Sequence, residues 1–340
     1  MKREGEMLMA ITIYDVARDA NVSMATVSRV VNGNQNVKPT TRRKVLESIE
    51  RLGYRPNAVA RGLASKKTTT IGVIVPDISS RFYGELSRGI ADIATMYEYN
   101  IILSNSDERS ERELELFADH LGKQVDGIIF MSDSVSDEIR EEMSKAPVPV
   151  VLAGTLDTEE QFATVNIDYE EAAYESVNRL IANGHTKIVF VTGPFKRDIN
   201  RLHKKKGYER ALKDAGIELN EDYVLEIEDD YDVAYESWAQ VEVLREQPTA
   251  FFAVNSSIAV GVLNGIRDAG YSVPNDYEMI CYEHSNLTRI VRPQLTSVVV
   301  PLYDIGAVAM RLLTKLMDKE EVADKQVVLP YSIAERDSVK

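Results

Sequence analysis

Thr12-Ile13-Tyr14-Asp15-Val16-Ala17-Arg18-Asp19-Ala20-Asn21-Val22-Ser23-Met24-Ala25-Thr26-Val27-Ser28-Arg29-Val30-Val31-Asn32 decides how this chain is read. Ile13, Val16, Ala17 and Ala20 recur at helical spacing, so a short helix over residues 13–20 is expected, with Thr12 placed to cap it. Ala20-Asn21-Val22 then makes a tight turn, because asparagine tolerates a left-handed backbone. Ser23 caps a second helix, Met24 to about Asn32, with Val27, Val30 and Val31 on its inner side. Two short helices joined in this way are a helix-turn-helix. Its second helix offers its first residues to base edges in the major groove, here Met24 and Ala25, with Arg29 one turn on. Arginine fits the O6 and N7 of guanine. Ser23, Thr26, Ser28 and Asn32 are short polar groups suited to phosphates, which position a helix without reading sequence. A methionine on a helix is usually core, but the valines already fill that face, so Met24 is read as a DNA contact.

Working outward, Thr40 is expected to cap a third helix over Thr41–Leu52, with Val45, Leu46, Ile49 and Leu52 as its stripe and Gly53 as its stop. Tyr54-Arg55-Pro56-Asn57 is an extended step imposed by the proline. Ala58–Lys66 is helix-like but too short and glycine-broken to persist alone, so it is expected to fold on binding. Its one large apolar group, Leu63, is either a wedge that kinks the duplex from the minor groove or an incidental linker residue. The charge distribution fits a nucleic-acid head, although by itself it is equally a solvated basic face, so the motif decides. Residues 1–67 carry a net +7, whereas the whole chain carries −14, leaving −21 on the remainder. A basic head on an acidic body keeps the body off the phosphates.

At 340 residues the chain has room for more than one core. No apolar run approaches the roughly 20 residues of a membrane span, so no membrane partner is expected. Residues 1–10 lack the features of a secretory leader and are expected to be a disordered extension. The single cysteine, Cys281, excludes an internal disulfide and suits a reducing cytoplasm, with association to the nucleoid when DNA is bound. No Cys/His spacing suggests a metal, and no cofactor is expected.

Beyond residue 70, strands and helices alternate. Strands are expected at Thr70–Pro76, Ile101–Ser104, Gly127–Met131, Val148–Ala153, Lys187–Thr192, Thr249–Val254, Glu278–Tyr282 and Thr296–Val300. Helices are expected at Phe82–Tyr99, Ser110–Lys123, Asp137–Lys145, Tyr169–Asn183, Ile199–Ala215, Tyr235–Arg245, Ser257–Ala269 and Tyr303–Met317. Such alternation builds parallel sheets covered on both faces, here an α/β core of two lobes with a cleft between them. Cys281 and His284 lie close in sequence, but no third orienting group accompanies them, and an enzyme is not expected.

The run from Thr12 to Asn32 and the run Tyr54-Arg55-Pro56-Asn57-Ala58-Val59-Ala60-Arg61-Gly62-Leu63-Ala64 resemble the LacI/GalR family of bacterial repressors. The resemblance implies an all-α helix-turn-helix head and hinge helix joined to a periplasmic-binding-protein-like core. It also implies a homodimer on a near-palindromic operator, with Leu63 as the hinge wedge. Its division is 1–10, an extension; 11–56, the DNA-binding domain; 57–69, hinge and linker; and 70–340, the core. The core splits into one lobe of about 70–168 and 301–324 and another of about 169–300 and 325–340. On the same ground Thr12, Tyr54, Asn57 and Ala60 join the expected DNA contacts.

Sugar- and purine-sensing members carry two cleft aspartates and an arginine; this chain has Glu283, Asn255-Ser256-Ser257 and Lys204 at those places. The losses weaken a small-effector reading, although a weak phosphosugar effector stays open as the alternative. Asp304, Arg311 and Lys315 are spaced i, i+7, i+11 on one helix face, which by itself is equally a plain solvated face. The resemblance is closest to the branch of the family concerned with carbon catabolite control. It implies that Tyr303, Asp304, Arg311 and Lys315 dock a serine-phosphorylated histidine-containing phosphocarrier protein, with Arg311 on the phosphoserine.

Overall fold

A computed structural model describes residues 11–31, 33–55, 67–242, 244 and 247–340. They fall into two units, Met1–Thr68 and Thr69–Lys340. In the first, helices α1 (Ile13–Asp19), α2 (Met24–Val31) and α3 (Pro39–Leu52) enclose Val16, Ala17, Ala20, Val27, Val30 and Val45. The Thr12 backbone N–H and hydroxyl donate to Asp15 Oδ2 at 3.0 and 2.7 Å, fixing the start of α1. Asn21 takes a φ of 50° in the turn, and Ser23 Oγ accepts the Thr26 N–H at 3.2 Å to cap α2. Gly53, at φ 67°, ends α3.

Two features of the third helix differ from expectation. It begins at Pro39, a residue that needs no hydrogen-bond partner in a first turn, so Thr40 lies inside it and does not cap it. Leu46 is half exposed, while Ser48 is buried and donates to the Asp19 carboxylate. Arg51 pairs with the same carboxylate, so Asp19 ties α1 to α3.

The second unit has two lobes. The first is a six-stranded parallel sheet of β1 (Thr70–Val75), β2 (Asn100–Asn105), β3 (Gly127–Phe130), β4 (Val150–Ala153), β5 (Ala163–Asn166) and β11 (Gln326–Val328), in the order β11-β5-β4-β3-β1-β2. Strand β1 is apolar on both sides because both are covered. Ile71, Val73 and Val75 pack with Leu86 and Ile90 of α4 (Arg81–Met96) and Ile305 of α12 (Leu302–Met317). Ile74 packs oppositely, with Phe117 of α5 (Ser110–Gly122) and Ile139 of α6 (Asp137–Ser144).

The second lobe repeats the plan with β6 (Ile188–Thr192), β7 (Val224–Glu226), β8 (Ala250–Ala253), β9 (Glu278–Cys281), β10 (Thr296–Val299) and β12 (Ser332–Ala334). Their order is β12-β10-β9-β8-β6-β7, parallel except for β12 against β10. Its helices are α7 (Tyr169–Ala182), α8 (Lys205–Asp214), α9 (Tyr231–Glu242), α10 (Ser256–Asp268) and the short α11 (Asn286–Ile290). The chain passes between lobes after β5, after β10 and after β11. The last passage follows Val328 and not residue 324, because β11 hydrogen-bonds to β5 of the first lobe. The expected helix at Ile199–Ala215 is two pieces, a π-helical turn over Ile199–Lys204 and then α8.

Candidate nucleic-acid interface and core sites

In the head, Val27 and Val30 point α2 inward, and its outer surface carries Met24, Ala25 and Arg29, all exposed. Thr26 and Ser28 are half buried beside them, and the Ser23 and Thr26 hydroxyls lie 2.9 Å apart. Arg18 is held by Asp15 and Arg51 by Asp19, whereas Arg29 forms no ion pair among the described residues. The N-terminal turn of α2 therefore presents short polar groups and an apolar pair, and its last turn presents the Arg29 guanidinium on the same outer surface. Tyr54 packs against the head's core from the end of α3 and is half buried. Asn32, Asn57, Ala60 and Leu63 lie outside the described residues, as does the 1–10 extension.

In the core, α12 is set deep against α4. A Cβ on Gly306 would stand 2.0 Å from the Leu86 carbonyl oxygen, and one on Gly89 equally close to that of Tyr303. Only glycine at both positions allows the two backbones to meet this closely. With one side of α12 fixed by Ile305, Ala309, Leu312 and Leu313, the opposite side exposes Asp304, Arg311 and Lys315. At about 100° per residue these three fall within about 20° of one line, while Tyr303 lies about 100° away, toward α4. There its hydroxyl donates to Asp92 Oδ2 at 3.2 Å, and Arg88 Nε donates to the same oxygen at 3.2 Å. Burial and Asp92 hold the Tyr303 phenol above its ordinary pKa. Neither Arg311 nor Lys315 has an ion-pair partner among the described residues. The sequence-predicted set is thus a stripe of three with Tyr303 bordering it.

The cleft between the lobes has a volume of about 590 Å³ and gathers the residues singled out at the sugar-sensing positions: Lys204, Asn255, Ser256, Ser257 and Glu283. Four of them are engaged within the protein: Glu283 and Ser256 with each other, Lys204 with Asn200, and Asn255 with Asp229. Glu283 Oε2 accepts the Ser256 N–H and hydroxyl at 3.1 and 3.3 Å, at the start of α10. Lys204 donates to Asn200 Oδ1 at 3.1 Å and lies 4.8 Å over the Tyr282 ring. Burial pulls its ammonium down to about 8, with Glu283 and Asp133 resisting. Cys281 is fully buried, burial raises its thiol pKa well above the ordinary range, and Sγ donates to the Glu283 carbonyl. It is a strand residue, not an activated nucleophile.

Sequence reasoning missed a second cleft group. Arg197, on the turn after β6, pairs with Glu108, Asp133 and Asp229 together. The charged turn Pro194-Phe195-Lys196-Arg197-Asp198 was its only signal, and that turn gives no hint of partners 64 and 89 residues earlier.

Residues 12–57 match bacterial regulatory proteins of the lacI family, and residues 177–339 match a periplasmic binding protein-like domain. The chain belongs to the LacI family and is a DNA-binding transcription regulator. Among its relatives, it is 58% identical to Catabolite control protein A of Priestia megaterium, over 98% of this chain and 100% of that one. It is 51% identical to the protein of the same name from Streptococcus mutans serotype c, over 97% and 98% of the two chains. The solved transcription regulator CcpA of Lactococcus lactis superposes with a TM-score of 0.74 at 42% identity, covering 80% of this chain and 99% of that one. The Lac repressor dimer bound to operator and the anti-inducer ONPF gives 0.88 at 25% identity, covering 97% and 99%.

Proposed function

We propose that this protein is a cytoplasmic, homodimeric regulator of carbon catabolite genes. It binds a near-palindromic operator and is stimulated by a serine-phosphorylated histidine-containing phosphocarrier protein docked on α12. The observation that carries this reading is the exposed pair Arg311 and Lys315, one turn apart and without ion-pair partners among the described residues, on a helix locked to its lobe by Gly89 and Gly306. A dianionic phosphoserine matches a guanidinium fork supported by a nearby ammonium. The names of the relatives point to the same role. In the head, Met24, Ala25 and Arg29 read bases, Thr12, Ser23, Thr26, Ser28, Asn32 and Tyr54 hold the backbone, and Asn57, Ala60 and Leu63 engage the minor groove. A homodimer is supported by the exposed Tyr231 and Val233 on α9 and Leu287 and Ile290 on α11, two helices that both neighbour α10. Titrating operator DNA at fixed salt with the phosphorylated and the unphosphorylated carrier tests the reading: only the phosphorylated form is expected to tighten binding, and equal effects of the two forms would refute it.

The cleft volume favours a second reading, control by a small molecule. Among related structures, the regulator CelR is in complex with cellobiose and a LacI family regulator from Enterococcus faecium has bound ribose. Calorimetry with sugars and phosphosugars separates the two; saturable binding that by itself changes operator affinity would favour the small molecule.

A further inference from the structure

The cleft is bridged by one side chain of the protein itself. Arg197 belongs to the second lobe, and two of its three acidic partners, Glu108 and Asp133, belong to the first. Its Nη2 lies 2.8 Å from both Glu108 oxygens, a charge-assisted contact in which one nitrogen is shared between the two oxygens of the carboxylate. Its Nε lies 2.8 Å from Asp133 Oδ2, an ion pair that falls short of an aligned hydrogen bond, and Nη1 holds Asp229 of its own lobe.

The surroundings are built for this contact. Asp229 presses so closely on Gly193 that a Cβ there would stand 2.2 Å from its Oδ1, and Asn255 donates to that oxygen at 2.9 Å. Tyr83 donates to Asp133 Oδ1 at 2.6 Å. Next to Arg197, the Asp198 N–H donates across the cleft to the Asp133 carbonyl at 3.2 Å, so the main chains of the two lobes are joined as well. The Arg197 side chain is only 19% exposed.

We propose that Arg197 is a resident ligand of the inter-lobe cleft. Its guanidinium, tethered by the turn after β6, lies between three carboxylates from both lobes, offsets part of their charge and holds the lobes closed with no small molecule bound. Three carboxylates converging on one cleft repel one another when nothing cationic lies between them, so loss of the guanidinium favours separation of the lobes. The cleft then has no need of an external closing ligand, and the partner face on α12 acts on a core that is already closed. The link from closure to operator affinity rests on the regulator reading above; the closure itself does not, and lobe spacing is measured without DNA or partner.

The test uses the full chain with nitroxide labels on cysteines introduced at Glu111 and Lys213, both exposed and one in each lobe, Cys281 being buried. Double electron–electron resonance on Arg197→Ala is expected to give a longer, broader inter-lobe distance than the parent. Millimolar methylguanidinium, but not sodium at equal ionic strength, is expected to restore the parent distance. Operator affinity of the variant is expected to fall about tenfold and to recover with the same ion. An unchanged distance in Arg197→Ala overturns the proposal, and so does an opening that methylguanidinium fails to reverse. Should Arg197→Ala not fold, Glu108→Gln removes the partner charge on the opposite lobe: a longer distance supports the latch, and the parent distance overturns it. A latch that behaves as expected while operator affinity stays constant refutes the link from closure to DNA binding and leaves the closure intact.

Discussion

The cleft and the outer face of α12 are both charged surfaces of the same core, yet they are in opposite electrostatic states. In the cleft the charges are committed: Arg197 to Glu108, Asp133 and Asp229, Glu283 to Ser256, Lys204 to Asn200. On α12, Arg311 and Lys315 stand in solvent, and no ion pair among the described residues involves them. A ligand entering the cleft must first break contacts the protein has already made, whereas a phosphate arriving at α12 displaces only water. On the function proposed above, the contrast accounts for a signal received on a surface by a fold that also carries a cavity. Recognition goes to the groups whose binding capacity is still unspent.

The largest effect that breaks this comparison comes from Gly306→Ala. Its new Cβ meets backbone that cannot swing aside, so α12 and α4 must part, at a cost of about 3 kcal/mol of stability. Thermal denaturation checks this, and stimulation by the phosphocarrier is expected to be lost as the stripe tilts. Next, Arg311→Ala removes charge-assisted bonds to the phosphate. It is expected to weaken the partner by about 1.5–3 kcal/mol with an unchanged melting temperature. Lys315→Ala, in the more solvated supporting place, is expected to cost about 0.5–1 kcal/mol in the same titration.

The smallest effect belongs to the cleft. The Lys204 ammonium is depressed from its ordinary 10.5 to about 8, so between those values the unfolded chain holds a proton that the folded one has released. Stability attributable to this residue is therefore expected to rise with pH across that window, and Lys204→Met to flatten the rise. Chemical denaturation at a series of pH values measures it; an unaltered slope in the variant would show that the lysine is solvated.

Much of the architecture was legible because it is written locally. Capping by Thr12 and Ser23, the left-handed Asn21 and the spacing of Val16, Val27 and Val30 identify the head without any long-range information. The continuous apolar runs identify the inner strands. Strands β5, β7, β11 and β12 escaped notice because each has only three or four residues and most sit at or near a sheet edge, where burial imposes little pattern. The π-helical turn before α8 was hidden because its spacing departs from the period used to find helices. Leu46 was placed in the core because period alone cannot tell that the Asp19–Ser48–Arg51 contact turns α3 away from it. Of the sites, the α12 stripe was readable from one helix. The Arg197 cluster was not, since Glu108, Asp133 and Asp229 come to it only through the crossings between lobes.

On the proposed function the input arrives on α12 and not in the cleft. The most direct test is operator affinity at fixed salt, with and without the serine-phosphorylated carrier, for the parent, Arg311→Ala and Glu283→Gln side by side. The carrier is expected to tighten binding of the parent and of Glu283→Gln and to leave Arg311→Ala unmoved. Stimulation that survives in Arg311→Ala and disappears in Glu283→Gln would contradict the proposed function.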